Sequence, residues 1–99
     1  MRKLSNHMTV NGISYELVKR SDKVAVFSVQ NGRRYEVVRI YVLPKRYDAY
    51  WLYHWPEREE ITRGSQFGRD GSRMFFEKEQ ALIYFDKLNQ SLGGELTGQ

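Results

Sequence analysis

The densest group of side chains with chemical potential lies between Tyr35 and Trp55, where aromatic rings alternate with cations. Its members are Tyr35, Arg39, Tyr41, Lys45, Arg46, Tyr47, Tyr50, Trp51, Tyr53 and Trp55. Aromatic faces stack on nucleic-acid bases, and arginine and lysine contact phosphate groups. The same residue types also form good strands, in which amphipathic rings bridge core and solvent. The pattern therefore favours a binding surface and leaves a purely structural role open.

Side chains that usually catalyse reactions or bind metals form no convergent set. The two histidines, His7 and His54, are far apart in the chain, and the carboxylates of Glu57, Glu59 and Glu60 lie among arginines. No serine lies in a nucleophile-elbow motif, and cysteine is absent. We therefore predict no catalytic residue, no metal site and no cofactor, and we expect the protein not to be an enzyme.

A glycine-rich segment, residues 64–71, contains Gly64, Gly68, Arg69 and Gly71. Glycines let backbone amides approach an anion, so an anion-binding nest is one interpretation. The segment lacks the Lys-Ser/Thr pair of a phosphate-binding loop and the strand and helix that flank a dinucleotide fingerprint. We expect residues 57–73 to form an irregular loop with permissive glycines.

Size and charge limit the classes of protein to which this chain can belong. Its 99 residues suffice for one domain with one modest core. The net charge of +4 creates a mild positive field that attracts phosphate or other anionic surfaces. The absence of cysteine favours a reducing compartment, so we expect the cytoplasm. The sequence contains no signal-peptide pattern and no apolar run long enough for a membrane span, so we expect no membrane partner.

Alternating and β-branched residues predict consecutive strands at residues 13–18, 23–29 and 33–43. Asn31-Gly32 favours a two-residue type I′ turn between the second and third strands, since both residues tolerate positive φ. This turn sets the register. The predicted pairs are Arg33 with Gln30, Tyr35 with Ser28, Glu36 with Phe27, Val37 with Val26, Val38 with Ala25, and Arg39 with Val24.

The remaining segments predict one more strand and a helix. Residues 49–55 are expected to form a fourth strand that pairs with the third and ends at Pro56, which lacks an amide donor. Ala81, Phe85, Leu88 and Leu92 recur at helical spacing, which predicts an amphipathic helix from Glu77 that stops at Gly93-Gly94.

These elements predict an α+β fold with a three- or four-stranded antiparallel β-meander followed by one C-terminal α-helix packed on the sheet. We expect a single domain over residues 1–99, with an ordered core from about residue 9 to about residue 92 and flexible termini. One helix covers only one face of such a sheet, so the other face should be open. The expected core residues are Val24, Val26, Val37, Ala81, Phe85 and Leu88.

The C-terminal quarter resembles AP2-type and integrase arm-binding domains. The resemblance is carried by Phe75, Glu79, Ala81, Phe85 and Asp86, at the spacing found where the last strand of those domains meets the helix. It implies three strands followed by a helix, and DNA binding through the sheet. Those families usually have Ser or Thr where this chain has Glu77, and a tryptophan before the position of Phe75.

The sequence has two further resemblances. The order Trp55, Gly68, Gly71, Phe76, Ala81 and Phe85 resembles a WGR domain, a nucleic-acid-associated module, although Pro56 follows Trp55 in place of the Gly-Arg pair. A broader similarity is to uncharacterised small proteins of bacterial, phage and mobile-element genomes, and it implies no function. It rests on residues 11–16, 23–25, 35–38, 67–68 and 81–85.

The sequence thus predicts a small non-enzymatic binding module with nucleic acid as the leading partner. The expected nucleic-acid-binding residues are Arg33, Arg34, Arg39, Tyr41, Lys45, Arg46, Trp51, Tyr53 and Trp55. The alternative is a protein–protein adaptor or homodimer that uses a hairpin rich in aromatic residues at positions 50–55. Large aromatic side chains often anchor protein interfaces.

Overall fold

A computed structural model describes residues 1–50, 52–62 and 64–96 of the chain. An antiparallel sheet with a C-terminal α-helix packed on it forms the molecule, so the predicted α+β class is confirmed. The elements in chain order are β1 (His7–Val10), β2 (Ile13–Arg20), β3 (Val24–Val29), β4 (Arg34–Leu43), β5 (Arg46–Asp48), β6 (Tyr53–Trp55), β7 (Arg58–Ile61), a short 3-10 helix (Gly64–Gln66), β8 (Arg73–Phe75) and α1 (Lys78–Leu92).

The main sheet has six strands and is built around β4. Strands β1 to β4 follow one another as an antiparallel meander, and the outer edge of β4 is shared by two strands placed end to end. The first half of β4 pairs with β8 from Tyr35 to Val37, and the second half pairs with β7 from Ile40 to Leu43. Residues 62–72 therefore form an excursion inserted into one interrupted edge strand.

The hairpin of β3 and β4 has the register that the Asn31-Gly32 turn predicts. The five pairs from Ser28 with Tyr35 to Val24 with Arg39 occur as predicted. The predicted pair of Gln30 with Arg33 does not occur, because the strands end at Val29 and Arg34. Asn31 and Gly32 have φ values of 56° and 86°, in the left-handed region that a type I′ turn requires. Gln30 also has a positive φ, and the strands end at Val29 and Arg34, one residue pair before the turn.

The expectation of a fourth strand over residues 49–55, paired with the third, is wrong. The chain turns before Tyr53, and Leu52 has a φ of 52°. The short strand β6 then pairs with β5 in a separate two-stranded sheet. The partners of β4 are β7, which lies within the expected loop of residues 57–73, and β8, which begins at the last residue of that loop. The sequence did not reveal β7, because this strand is mostly charged and lacks the alternation of apolar residues that identifies a strand.

Both faces of the main sheet are covered at its centre. On one face Val24, Val26 and Val37 pack against Ala81 and Phe85 of α1. The second face, which we expected to be open, buries another cluster. That cluster consists of Ala25, Phe27, Val29, Val38 and Ile40, with Leu4, Met8, Ile13, Tyr15, Leu17, Ile61 and Phe67 packed against it.

The N-terminal segment helps to cover this second face. The Arg2 amide donates to the Glu57 carbonyl at 2.9 Å, and the Glu59 amide donates to the Arg2 carbonyl at 2.8 Å, so residue 2 adds to the free side of β7. Sequence analysis placed residues 1–8 outside the ordered core, whereas Leu4 and Met8 pack on the second cluster. A polar terminus with few apolar residues gives no period from which this position could be read.

A buried ion pair links β2 to β7, two strands that lie on opposite sides of β3 and β4 in the sheet. The Arg20 guanidinium donates two hydrogen bonds of 2.7 Å to the Glu59 carboxylate, and their side chains are 7% and 4% exposed. The Leu4 amide donates to the same carboxylate at 3.1 Å. The hydrogen bonds from Arg20 hold the pKa of Glu59 below its usual value despite burial. The pair fixes the N-terminal segment, β2 and β7 to one another.

Helix α1 confirms the predicted spacing and end. Ala81 and Phe85 are fully buried, Leu88 is half-buried, and the helix stops at Gly93 with a φ of 67°. The Gly93 amide donates to the Gln90 carbonyl, which satisfies one of the otherwise unpaired groups at the helix end. Glu77 occupies the N-cap position without a capping hydrogen bond from its side chain.

Candidate nucleic-acid interface

Strands β5 and β6 form a two-stranded ribbon outside the main sheet. Their paired residues are Arg46 with Trp55, Tyr47 with His54, and Asp48 with Tyr53. In the described part of the chain, no other strand or helix comes within 8 Å of this ribbon between Cα atoms. We call residues 45–55 the aromatic hairpin. Its position leaves side chains on both faces accessible.

The pairing places a cation, two rings and a carboxylate on one face of the aromatic hairpin. Arg46, Trp55, Asp48 and Tyr53 share this face, because residues directly opposite each other project to the same side. The Arg46 guanidinium lies 5.7 Å from the Trp55 ring centroid, and Arg58 lies 5.2 Å from the same ring. Tyr53 meets Trp55 edge to face at 4.8 Å. Trp55 therefore has two guanidinium groups within 6 Å of its ring centroid, and cation–π attraction stabilises these contacts.

The opposite face of the aromatic hairpin carries Tyr47 and His54. Their ring centroids are 4.5 Å apart and the ring planes are tilted by 33°. Lys45, Arg46, Tyr47, His54, Trp55 and Pro56 line an open cleft of about 500 Å³. Sequence analysis left Tyr47 and His54 out of the binding residues. A turn recognised at residues 49–52 would have paired them and indicated the second ring surface.

The predicted binding residues do not form one surface. Arg33 and Arg34 lie at the start of β4, while Lys45 and Arg46 follow its end, about 30 Å away for a strand of this length. Arg34 is engaged in an ion pair with Glu36 at 3.1 Å, whereas Arg33 is exposed in the turn. The structure therefore groups only Lys45, Arg46, Tyr53 and Trp55. Trp51, also predicted, lies outside the described residues.

Arg39 and Tyr41 hold the excursion of residues 62–72 on β4. The Tyr41 hydroxyl donates to Asp70 Oδ2 at 2.6 Å, and Thr62 Oγ1 donates to the same oxygen at 2.9 Å. The Ser72 amide donates to Asp70 Oδ1 at 3.1 Å, and Arg39 Nη1 donates to the Asp70 carbonyl at 3.3 Å. This network gives both residues a structural task in addition to the predicted binding role.

Asp70 is the acceptor at the centre of this network, and its pKa reflects that position. Burial raises the pKa of Asp70, but the hydrogen bonds from Tyr41, Ser72 and Thr62 together lower it below the usual value. For Tyr41, burial and the hydrogen bond to Asp70 both raise the pKa. At neutral pH, Asp70 is therefore an ionised acceptor and Tyr41 a neutral donor.

A larger cavity of about 650 Å³ lies on the second face of the sheet. Its apolar lining includes Tyr15, Val38, Ile61 and Phe67, and Glu36 lies among them. Because Glu36 is neutralised by Arg34, the cavity has no free charge at that point to select a ligand. We therefore interpret this cavity as an incompletely filled part of the second cluster and not as a functional site.

Comparison with protein-family models, with curated proteins and with solved structures found no match for this chain. Within residues 1–50, 52–62 and 64–96, no group of three or more histidine and acidic side chains is placed to hold a metal ion. No helix in those ranges combines the length and apolar character needed to cross a membrane. The aromatic hairpin is thus the strongest candidate site that the geometry offers.

Proposed function

We propose that this protein is a non-enzymatic binding module that contacts nucleic acid through the aromatic hairpin. The observation that carries the proposal is the isolated ribbon of β5 and β6, on which exposed rings lie beside Arg46 and Lys45. Here Tyr53 is 51% exposed and Trp55 is 37% exposed.

The geometry favours unpaired bases as the nucleic-acid partner. Bases stack on aromatic faces without sequence preference, since every base has a π-face, and each stacked base contributes about 1 to 3 kcal/mol. Arg46 and Lys45 lie close enough in sequence to contact the phosphates of the same strand. A two-stranded ribbon also fits a duplex major groove, which makes double-stranded DNA the comparison ligand.

Fluorescence anisotropy of labelled single- and double-stranded DNA and RNA, at about 50 and about 200 mM salt, tests the proposal. We expect salt-sensitive binding that is strongest for single strands. Arg46→Ala should weaken binding to all sequences and lower the salt slope by about 1. Trp55→Ala should weaken binding by about 1 to 3 kcal/mol at both salt concentrations.

Lys78→Ala is the matched control, because Lys78 is an exposed cation at the start of α1, outside the aromatic hairpin. It should leave both the affinity and the salt slope close to those of the unsubstituted protein. Absence of binding at low salt would refute the proposal. An equal loss in Lys78→Ala and Arg46→Ala would show that only net charge, and not the hairpin, attracts nucleic acid.

The exposed tip of the aromatic hairpin favours self-association as a second candidate function. Tyr50 and Leu52 are 83% and 76% exposed, and large exposed apolar side chains on a short ribbon are typical of interfaces. Leu52→Ser should lower the mass measured by sedimentation at high protein concentration, while Ile83→Ser, an exposed change on α1, should not. A monomer at every concentration would exclude this candidate.

A further inference from the structure

A second group of cations lies beside the start of β3, where β4 continues past Val24. The Ile40 amide donates to the Lys23 carbonyl at 2.8 Å, which is the last link between β4 and the chain before β3. Beyond Ile40, the side of β4 that faced β3 has no strand partner among the residues that the structure describes. An open cleft of about 480 Å³ lies there, lined in part by Lys3, Lys23, Arg39 and Val42. We call it the edge cleft.

The edge cleft has an excess of positive charge. Lys3, Lys23 and Arg39 form no ion pair with a carboxylate in the described residues. The two other charged groups deep in the cleft, Arg20 and Glu59, neutralise each other. Asp22 is the remaining carboxylate in the lining, and its Oδ1 accepts the Glu95 amide at 2.7 Å. Three cations therefore face one partly engaged acid.

The open edge of β4 supplies a backbone donor to the edge cleft. The Val42 amide points to the open side of β4, since amides two residues apart on an antiparallel strand point the same way and Ile40 donates to that side. Val42 is exposed, so an anion in the edge cleft can reach this amide, and backbone amides donate to phosphate oxygens.

We propose that the edge cleft binds a phosphate group of the nucleic acid whose bases lie on the aromatic hairpin. This inference rests on the proposed function. Arg46 lies four positions after Val42 in the sequence, a span of at most about 14 Å, so one nucleic-acid strand of a few nucleotides reaches both places. Phosphate oxygens accept from arginine, lysine and backbone amides alike, which matches the donors present. The edge cleft positions the nucleic-acid strand, and the rings of the aromatic hairpin stack on its bases.

A charge-matched pair of double variants tests the position of the phosphate. Lys3→Ala with Lys23→Ala removes two cations from the edge cleft, and Lys78→Ala with Lys87→Ala removes two exposed cations from α1. In oligonucleotide binding, we expect the edge-cleft variant to bind about tenfold more weakly at low salt and to have a salt slope smaller by about 1. The α1 variant should bind as the unsubstituted protein does. Equal effects of the two variants would overturn the inference, while a loss in Trp55→Ala would still support the hairpin.

Titration with inorganic pyrophosphate, followed by amide chemical shifts, separates this inference from the proposed function. Saturable shifts of the amides of residue 23 and Val42 in the unsubstituted protein support a phosphate site. The same two amides should not shift in the edge-cleft variant. If the shifts occur in a protein that binds no oligonucleotide, free phosphate is the ligand and the nucleic-acid function is refuted. If neither residue shifts, the edge cleft does not bind phosphate and the inference fails.

Discussion

The molecule contains two antiparallel hairpins of opposite character. The hairpin of β3 and β4 has α1 on one face and the second apolar cluster on the other, so Val24 to Phe27 are all fully buried. No described strand or helix outside the aromatic hairpin comes within 8 Å of it between Cα atoms, and β6 is exposed throughout. The side chain of Arg58, from β7, lies beside Trp55. Strand pairing is the same in both. The cover supplied by the rest of the chain decides whether the side chains serve packing or recognition.

This difference has an energetic basis. An isolated two-stranded hairpin is at best marginally stable, and each cross-strand pair adds only about 0.2 to 1 kcal/mol. Burial of a large apolar side chain contributes about 1.5 to 3 kcal/mol and adds packing contacts. The buried hairpin should therefore determine the stability of the whole protein. The aromatic hairpin should contribute little to stability and dominate binding.

The largest expected effect comes from Phe27, which is fully buried in β3 and meets Tyr15 edge to face with ring centroids 6.1 Å apart. Phe27→Ala should lower the free energy of unfolding by about 3 to 5 kcal/mol, because it leaves a cavity in the second cluster. Urea unfolding followed by circular dichroism measures the change. Phe27→Leu, which keeps most of the volume, provides the comparison if the alanine variant does not fold. A loss below about 1 kcal/mol for Phe27→Ala would mean that the second face is not the packed core described above.

An intermediate effect is expected at Asp70, which attaches the excursion of residues 62–72 to β4. Asp70→Asn should lower the free energy of unfolding by about 1 to 2 kcal/mol at neutral pH, because hydrogen bonds to a charged acceptor are replaced by weaker ones. The pKa of the folded Asp70 lies below the unfolded value, so its contribution is present above the unfolded pKa. It is lost as pH falls through the folded pKa.

Urea unfolding at several pH values checks this sign. Between about pH 6 and about pH 3, the stability of Asp70→Asn should fall less than that of the unsubstituted protein. Part of the acid sensitivity should persist in the variant, because the pKa of Glu59 is also lowered. Identical pH profiles for the two proteins would contradict the network around Asp70.

The smallest expected effect on stability is at Tyr53 on the aromatic hairpin. Tyr53→Ala should change the free energy of unfolding by no more than about 0.5 kcal/mol. The Tyr53 side chain is half exposed, and the ring that it contacts, Trp55, belongs to the same hairpin. The same urea series provides the measurement. A loss comparable to that of Phe27→Ala would show that the aromatic hairpin packs into the fold, and would remove the contrast between the two hairpins.

Much of the fold was predictable because its signals are local. The Asn31-Gly32 turn predicts the register of β3 with β4, and the spacing of Ala81, Phe85 and Leu88 predicts α1. The candidate site was predictable in part. Residue types identified Lys45, Arg46, Tyr53 and Trp55, but not the pairing of Tyr47 with His54 across a turn that has no strong turn signature.

The amino-acid sequence by itself determined the α+β class, the central hairpin and the helix, because each depends on residues a few positions apart. Only the tertiary structure decided which segments complete the sheet. Glu59 can be buried in β7 because Arg20, 39 residues away in the sequence, forms an ion pair with it. The Tyr41 hydroxyl donates a hydrogen bond to Asp70, 29 residues away in the sequence. This side chain, predicted to bind nucleic acid, therefore attaches the excursion of residues 62–72 to β4. Such pairings depend on distances in space, and no local pattern records them.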